Sequence, residues 1–247
     1  MYNPFNINGK TILITGASSG IGRSTAIECS KLGAKCIITA RNKERLQQTF
    51  DSLDGVGHLQ IIADLTNIDD VNSLVSQIPP VDGLVNNAGI ALTKLISFVK
   101  DDEFERMFKV NTFAPFVLTR QMIKKKKFNK KASVVITSSL ASMVQSPGNA
   151  VYGMTKSAIQ TFSRYCALEM SGKKIRFNTV HPGMVQTEMV EGLIFSDEEL
   201  EKDMNKYPLK RYGNPEEIAW AIIYLLSDAT EWVTGTSLII DGGIHLL

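Results

Sequence analysis

The segment TGASSGIG, Thr15 to Gly22, constrains the fold of this chain more than any other stretch. It follows an apolar strand pattern and opens a helical one, with Gly16, Gly20 and Gly22 in the spacing G-x-x-x-G-x-G. Glycines let backbone N–H groups approach a phosphate closely, and the helix that begins there directs its positive dipole end to the same point. A strand, a glycine turn and a helix predict a dinucleotide site, although loop or helix-cap glycines give a similar pattern.

The rest of the chain repeats this alternation of strand and helix patterns. Short apolar runs such as ILIT, CIIT and VVIT are separated by longer stretches with helical periodicity, among them Asp102–Lys126 and Val151–Met170. Strands buried on both faces read as continuous apolar runs, and strand–helix–strand units give right-handed crossovers. We therefore predict an α/β fold with a doubly wound parallel sheet and helices on both faces.

Composition is typical of a globular protein. The 247 residues are 44% hydrophobic and 21% charged, and no linker or low-complexity tract divides them, so we predict one domain over 1–247. The formal net charge of +2 gives no reason to expect nucleic-acid or membrane binding. The polar, partly helical segment 184–207 is predicted to form a mobile flap over a site.

Signals for metals and targeting are weak. Cys29, Cys36 and Cys166 are far apart and form no C-x-x-C pair, so we expect neither a metal site nor disulfides. The N-terminal stretch lacks the apolar region of a secretory signal, and the longest apolar run, Ala219–Leu226, is too short to cross a bilayer. These observations predict a cytoplasmic protein.

Several small or polar residues follow the predicted strands, at the edge where open parallel sheets bind ligands. Asp64 follows the third strand and Asn87 the fourth, although a helix cap and a turn residue are alternative roles. Arg41 follows the second strand, where an NAD-selective site usually has an acid for the ribose 2′-hydroxyl. A guanidinium binds a 2′-phosphate in a forked geometry, so Arg41 favours NADP(H) over NAD(H) unless it is only a solvated residue at a helix start.

Ser139, Tyr152 and Lys156 form a candidate acid–base set. Tyr152 and Lys156 lie one turn apart on one face of a predicted helix, and Ser139 ends the fifth strand. A phenol titrates near ~10, and a lysine cation about 4–5 Å away lowers that pKa by roughly two to three units. Tyr152 is then predicted to exchange a proton with a carbonyl or alcohol oxygen that Ser139 holds. A Tyr–Lys pair at this spacing also arises by chance, so the assignment depends on its agreement with the glycine loop.

Taken together, TGASSGIG, NNAG (Asn86 to Gly89), the Ser139–Tyr152–Lys156 set and PGMVQT (Pro182 to Thr187) resemble the short-chain dehydrogenase/reductase family over essentially the whole chain. The resemblance implies a Rossmann-type sheet of seven strands in the order 3-2-1-4-5-6-7. It implies hydride transfer between a nicotinamide cofactor and a carbonyl/alcohol pair.

The same resemblance assigns roles to single residues. Asn111 would hold a water in a proton relay to Lys156, and Lys156 would also bind the nicotinamide ribose. Arg41 matches the NADP-preferring members, but Ser19 stands where some of them have a second basic residue. The expected catalytic residues are Asn111, Ser139, Tyr152 and Lys156. The expected cofactor contacts are Gly16, Ser18, Ser19, Gly20, Ile21, Gly22, Arg41, Asp64, Leu65, Asn87, Ala88, Gly89, Tyr152, Lys156, Pro182, Gly183, Val185 and Thr187.

The sequence leaves the substrate open. Lys100–Phe104, Lys156–Ile159 and the C-terminal TGTSLIIDGG are most similar to 3-oxoacyl-acyl-carrier-protein reductases, while a small ketone, sugar or steroid-like alcohol is the alternative substrate. A third possibility is a cofactor-binding sensor without catalysis, although such proteins usually lose the tyrosine or the lysine. Specificity is expected from Ala91–Phe98, Ser146–Val151 and Met184–Phe195.

Two lysines bear on possible partners. Lys130 and Lys173 lie in lysine-rich stretches and are candidate contacts for an acidic carrier protein, since reductases of that type dock their carrier on basic residues near matching positions. Solvated helix ends also explain such lysines. Family members are commonly tetramers built on helices that match 102–126 and 151–170 and on the C-terminal segment, so we expect a homotetramer, with a homodimer as the alternative.

Overall fold

Seven strands form one parallel sheet in the computed structural model of the protein, which describes residues 2–188 and 196–247. The strands are β1 (Thr11–Thr15), β2 (Lys35–Ala40), β3 (Leu59–Ile62), β4 (Val81–Asn86), β5 (Phe128–Thr137), β6 (Arg176–Pro182) and β7 (Ser237–Ile240). Their order is β3-β2-β1-β4-β5-β6-β7, and all neighbours are parallel. The predicted fold class and strand order are confirmed.

Helices pack against both faces of this sheet. They are α1 (Gly20–Lys31), α2 (Lys43–Phe50), α3 (Ile68–Gln77), α4 (Asp101–Phe108), α5 (Ala114–Lys124), α6 (Ala150–Glu169), α7 (Asp197–Met204) and α8 (Pro215–Leu226). Successive β1 residues enter different cores: Leu13 packs with residues of α3, α5 and α6, whereas Ile12 and Ile14 pack with residues of α1, α2 and α8. This alternation of strand side chains is what buries the sheet on both sides.

The strand order reverses direction at β1, which lies between β2 and β4. Such a switch point leaves a crevice at the carboxyl ends of the strands. The two strand ends are joined there, because the Thr15 hydroxyl accepts hydrogen bonds from the backbone N–H groups of Asn87 and Ala88, each at 3.0 Å. The glycine turn after β1 and the NNAG loop after β4 are therefore held side by side.

The helical stretch expected over Asp102–Lys126 is not a continuous α-helix. A π-helical turn, Lys109–Phe113, separates α4 from α5. Pro115 gives a physical reason, since proline has no N–H and cannot donate to the carbonyl oxygen of Asn111, as an unbroken α-helix requires. The interruption leaves that carbonyl oxygen without its usual donor.

Part of the expected flap, 184–207, is helical. Helix α7 begins after Ser196, whose side chain and that of Glu199 form a reciprocal capping box. Residues 189–195 of the expected flap lie outside the described residues. Within the described ranges, no helix is both long enough and apolar enough to cross a membrane.

Candidate active site

The glycine turn after β1 has a backbone that only small residues tolerate. Gly16 and Gly20 have φ of +64° and +50°, and a Cβ atom on Gly16 would lie 2.8 Å from Ala88 Cα. Gly22 was expected to touch the cofactor but does not line the cleft. A Cβ atom at Gly22 would lie 2.5 Å from Asn87 Nδ2 and closer still to the Gly16 carbonyl oxygen, so this glycine allows close packing of the turn instead.

Helix α1 begins directly after this turn with its first N–H groups uncapped by side chains. Ser19 is the N-cap residue, its hydroxyl makes no capping hydrogen bond, and the first turn carries no acidic residue. A helix start with free N–H groups and a positive dipole end suits a phosphate group. The local structure therefore fits the pyrophosphate of a dinucleotide.

A cleft of about 1090 Å³ runs along the carboxyl ends of the strands. All the expected cofactor residues except Gly22 line it, and so does Ser139. Two buried hydroxyl oxygens on its wall, Thr39 Oγ1 and Thr137 Oγ1, have no hydrogen-bond partner among residues 2–188 and 196–247. Buried polar atoms are rarely left unpaired, so these orphans fit a site that a polar ligand completes.

Charged groups gather at the end of the cleft near β2 and β3. Arg41 is exposed there, and Asp64 accepts hydrogen bonds from the Thr66 N–H and hydroxyl at 2.9 and 2.8 Å. Burial opposes ionisation of Asp64, but the Thr66 hydrogen bonds and the positive charges of Arg41 and Lys109 outweigh it and lower the pKa of the carboxyl. Asp64 is therefore held as a carboxylate beside Arg41.

Sequence reasoning missed one ion pair at this end. Arg45 on α2 lies one turn after Arg41 and pairs with Glu188, and both side chains line the cleft. Arg45 is a second guanidinium near the expected 2′-phosphate position, but it is already paired with the carboxylate of Glu188. The spacing of four residues from Arg41 was the signal that could have found it.

Tyr152 and Lys156 lie on α6, against the end of β5. Lys156 is 5% exposed, and its Nζ donates to the carbonyl oxygen of Thr137 at 2.9 Å. In return the Ser138 hydroxyl donates to the carbonyl oxygen of Lys156 at 3.0 Å. The Lys156 Nζ lies 5.7 Å from the centre of the Tyr152 ring, so the structure brings the expected pair together with Ser139 at one end of the cleft.

The pKa of Tyr152 differs from the sequence expectation. Burial raises the pKa of the Tyr152 phenol, and a hydrogen bond from Ser139 offsets only part of that rise. Burial also lowers the pKa of the Lys156 ammonium to about 8. The pKa of the phenol in the protein alone is therefore raised and not lowered as the sequence predicted, because desolvation of the phenolate is the largest effect.

Asn111 lies behind the cleft rather than on its wall. Its amide oxygen accepts from the Ile90 N–H at 2.8 Å, and its amide nitrogen donates to the Ile90 carbonyl at 2.9 Å and to Thr155 Oγ1 at 3.1 Å. A Cβ atom on Gly89 would lie within 3.4 Å of both Asn111 Oδ1 and Lys156 Nζ. The side chain thus holds the loop after NNAG in place, next to the lysine.

The expected specificity segments contribute part of the cleft wall. Their lining residues are Ala91, Thr93, Ser146, Pro147, Asn149, Met184, Val185, Thr187 and Glu188. Asp203 on α7 also lines the cleft and was not expected from the sequence. The end of the segment Met184–Phe195 lies outside the described residues. Among residues 2–188 and 196–247, no group of three or more metal-ligating side chains comes together.

Known proteins resemble this chain over nearly all of its length. A family model described as Enoyl-(Acyl carrier protein) reductase matches residues 16–245. The chain is 34% identical over 242 residues to the 3-oxoacyl-acyl-carrier-protein reductase FabG of Rickettsia bellii, covering 98% of this chain and 99% of that protein. It is 29% identical over 243 residues to cyclopentanol dehydrogenase from a Comamonas species, covering 96% of this chain and 97% of that protein.

Solved structures give the same picture. A protein titled a short chain dehydrogenase/reductase family protein superposes with a TM-score of 0.87 at 34% identity, covering 98% of this chain and all of that one. A short-chain type dehydrogenase/reductase from Mycobacterium marinum gives a TM-score of 0.88 at 31% identity, covering 98% of this chain and 97% of that one. Shared fold and shared sequence therefore extend over the same residues.

Burial of Lys156 predicts a measurable cost in stability. The substitution Lys156→Met should raise the free energy of unfolding at pH 7 by about 2 kcal/mol. Burial lowers the pKa of the Lys156 ammonium from 10.5 to about 8, which corresponds to a cost of roughly 3 kcal/mol for holding the charged form in the folded protein. Loss of the hydrogen bond from Lys156 offsets part of the gain from removing that charge. Below pH 8 the Lys156 side chain is protonated in both the folded and the unfolded protein, so the difference in stability between the variant and the wild type does not change with pH. It should shrink between about pH 8 and 10.5, where the unfolded chain binds more protons.

Urea unfolding at pH 7 and pH 9.5 measures this difference, with Lys43→Met at an exposed position of α2 as the control. A gain that does not change with pH would mean that methionine simply packs better. A loss of stability at pH 7 would contradict the account of the buried ammonium.

Proposed function

Because the chain belongs to the short-chain dehydrogenase/reductase family and is an oxidoreductase acting on a carbonyl/alcohol pair, we propose that it is an NADP(H)-dependent reductase of the 3-oxoacyl-acyl-carrier-protein type. The observation that carries the proposal is the meeting of Ser139, Tyr152 and Lys156 at one end of the cleft that the glycine turn opens. The 34% identity to a 3-oxoacyl-acyl-carrier-protein reductase, over 98% of this chain, supports a 3-oxoacyl thioester as the substrate.

In the proposed reaction Tyr152 donates its proton to the substrate carbonyl oxygen as that carbon is reduced. The Ser139 hydroxyl donates a hydrogen bond to the same oxygen and holds it in reach of the phenol. When bound, the cofactor supplies the hydride and, once oxidised, a positive charge beside the phenol. A positive charge there opposes the effect of burial on the pKa of Tyr152.

Lys156 and Asn111 are proposed to return the proton to Tyr152. Lys156 would bind the nicotinamide ribose with an ammonium whose pKa of about 8 suits proton exchange near neutral pH. The Asn111 carbonyl oxygen, which Pro115 cannot engage, is the proposed acceptor for the relay water. The Asn111 side chain is already bonded to Ile90 and Thr155, so the backbone is the part left for this role.

The remaining cleft residues are proposed to hold the rest of the dinucleotide. The turn Gly16–Gly20 and the start of α1 would take the pyrophosphate, and Arg41 with Ser18 or Ser19 would take the 2′-phosphate. The segment from Pro182 to Thr187 would receive the carboxamide. The exposed guanidinium of Arg41, without an acid beside it in the sequence, supports NADP(H) over NAD(H).

Cofactor preference should depend on the charge at position 41. In Arg41→Asp, repulsion of the 2′-phosphate and a new acceptor for the ribose hydroxyl should lower kcat/KM with NADPH by about 100-fold and raise it with NADH. Steady-state kinetics with both cofactors measures this. Lys43→Ala, at an exposed position outside the cleft, is the control. Unchanged preference in Arg41→Asp would contradict the NADP(H) assignment.

We also propose that an acidic carrier protein docks on Lys130 and Lys173. Both are exposed, and they lie at the amino ends of the neighbouring strands β5 and β6, with Ser133 paired to Arg176. Strand β5 is 10 residues long, about 30 Å, and the cleft lies at its other end. A carrier docked on these lysines therefore faces the opposite end of the sheet from this chain's own site, so the substrate would enter the site of a second copy.

A homotetramer, or else a homodimer, would provide that second copy. Apolar side chains from α4, the π-helical turn, α5 and α6 line a groove on the surface, among them Phe104, Phe113 and Phe162. Phe113 is 58% exposed and Phe104 38%, which is unusual for side chains of this size. The groove supports association through the same helices that the resemblance implies.

The cysteines support a cytoplasmic location, which we propose as well. Cys29, Cys36 and Cys166 are free and buried, and burial raises the pKa of each thiol. Free thiols persist in reducing compartments.

A small ketone or related alcohol is the second candidate substrate, favoured by the similarity to cyclopentanol dehydrogenase. NADPH consumption decides between the candidates when it is measured with an acetoacetyl carrier thioester, a free acetoacetyl thioester and simple ketones. We expect both thioesters to exceed simple ketones by about 100-fold in kcat/KM, as remote binding energy contributes to the transition state. A preference for ketones would support the alternative, and no turnover with any carbonyl would support a sensor.

The same assay tests the docking lysines. The double variant Lys130→Gln, Lys173→Gln should lower kcat/KM for the carrier thioester by about tenfold, because two exposed charge pairs with the carrier are lost. Its kcat/KM for the free thioester should stay unchanged. Lys35→Gln, at the same edge of the sheet on β2, is the control. Equal loss on both substrates would remove the docking proposal.

A further inference from the structure

His181 on β6 lies directly behind the turn that carries Ser139. The side chain is fully buried, at 0% exposed, does not line the cleft and has no part in the proposed proton transfer. Its Nδ1 lies 3.2 Å from the Ser139 carbonyl oxygen and 3.0 Å from Ser142 Oγ, and its Nε2 lies 2.7 Å from Thr179 Oγ1. Burial lowers the pKa of the imidazole to about 4, so the ring is neutral near pH 7 and carries a single N–H.

The neighbours of the ring assign that N–H to Nδ1. A carbonyl oxygen can only accept, so Nδ1 must carry the hydrogen where it faces Ser139. The Ser142 hydroxyl already donates to the same carbonyl oxygen at 2.7 Å, which leaves its lone pairs for Nδ1–H. Nε2 is then an acceptor, and the Thr179 hydroxyl donates to it.

This hydrogen bonding continues to the helix that carries the catalytic pair. The hydroxyl oxygens of Thr179 and Ser237 are 3.2 Å apart, and the side-chain amide of Gln160 donates to Ser237 at 2.9 Å. Gln160 lies on α6 one turn after Lys156. A chain of buried and half-buried polar groups thus joins α6, through β7 and β6, to the turn of Ser139.

We propose that His181 is a positioning residue that fixes the Ser139 hydroxyl against Tyr152 by holding the Ser139 carbonyl group from behind. The inference rests on the proposed function. Ser139 starts the short 3₁₀ turn Leu140–Ser142, and its carbonyl oxygen also accepts from the Ser142 N–H at 3.0 Å. The hydroxyl of the same residue forms a hydrogen bond with the Tyr152 phenol, so a turn that loses one of the three donors to its carbonyl oxygen lets the hydroxyl shift. A displacement of about 1 Å in such a site costs about 100-fold in rate.

Two substitutions separate positioning from a structural role. His181→Asn places an amide N–H near the Nδ1 position, where it can donate to the Ser139 turn. His181→Gln places its amide near the Nε2 position, where it reaches Thr179 but not the Ser139 carbonyl. Both remove the imidazole from the same buried pocket, so thermal unfolding should show similar losses of stability. We expect kcat to fall by about threefold in His181→Asn and by about 100-fold in His181→Gln, with KM for the cofactor unchanged in both.

A readout without turnover keeps this proposal separate from the proposed function. The ¹³C chemical shift of Tyr152 Cζ, assigned with Tyr152→Phe, reports the hydrogen bond from Ser139 in the free protein. It should move in His181→Gln and stay near the wild-type value in His181→Asn. Equal kcat and equal chemical shifts in the two variants would overturn the positioning role. A wild type without carbonyl reduction would overturn the proposed function, while the chemical shift would still test His181.

Discussion

The site depends on two reciprocal hydrogen bonds that join α6 to the end of β5. Lys156 Nζ donates to the Thr137 carbonyl oxygen, and the Ser138 hydroxyl donates to the Lys156 carbonyl oxygen. They give the buried ammonium an acceptor and lock the helix against the strand from which Ser139 follows. Tyr152 lies one turn before the lysine on α6, so the same two hydrogen bonds fix its position. Loss of these hydrogen bonds would alter the distances between Ser139, Tyr152 and Lys156 on which the proposed chemistry depends.

Electrostatics in the free protein keep the Tyr152 phenol in its protonated form. Burial raises the pKa of the phenol, so it is protonated at neutral pH, as reduction of a carbonyl requires. Oxidation of an alcohol needs the phenolate, which the protein alone does not stabilise. The buried Lys156, with a pKa of about 8, is still protonated at neutral pH, and its ammonium lies 5.7 Å from the centre of the Tyr152 ring.

The strand–helix alternation and the glycine turn were enough to predict a parallel sheet, because parallel strands that are buried on both faces have continuous apolar sequences. The π-helical turn at Lys109–Phe113 was not predicted, since helical periodicity alone does not register the N–H that Pro115 lacks. Gly22 was predicted to contact the cofactor from motif spacing, and the spacing alone did not show that this glycine also lets the turn pack against Asn87. Asp203 and His181 were missed because their positions depend on contacts between elements far apart in sequence, whereas the four-residue spacing of Arg45 from Arg41 was a local signal that was not used.

The central claim is that the Tyr152 hydroxyl supplies the proton. Tyr152→Phe removes that oxygen and keeps the ring. The measurement is single-turnover reduction of an acetoacetyl thioester, with NADPH binding followed by fluorescence as the control for the fold. We expect the rate to fall by at least about 100-fold while NADPH binds with unchanged affinity. A rate equal to that of the wild type would contradict it.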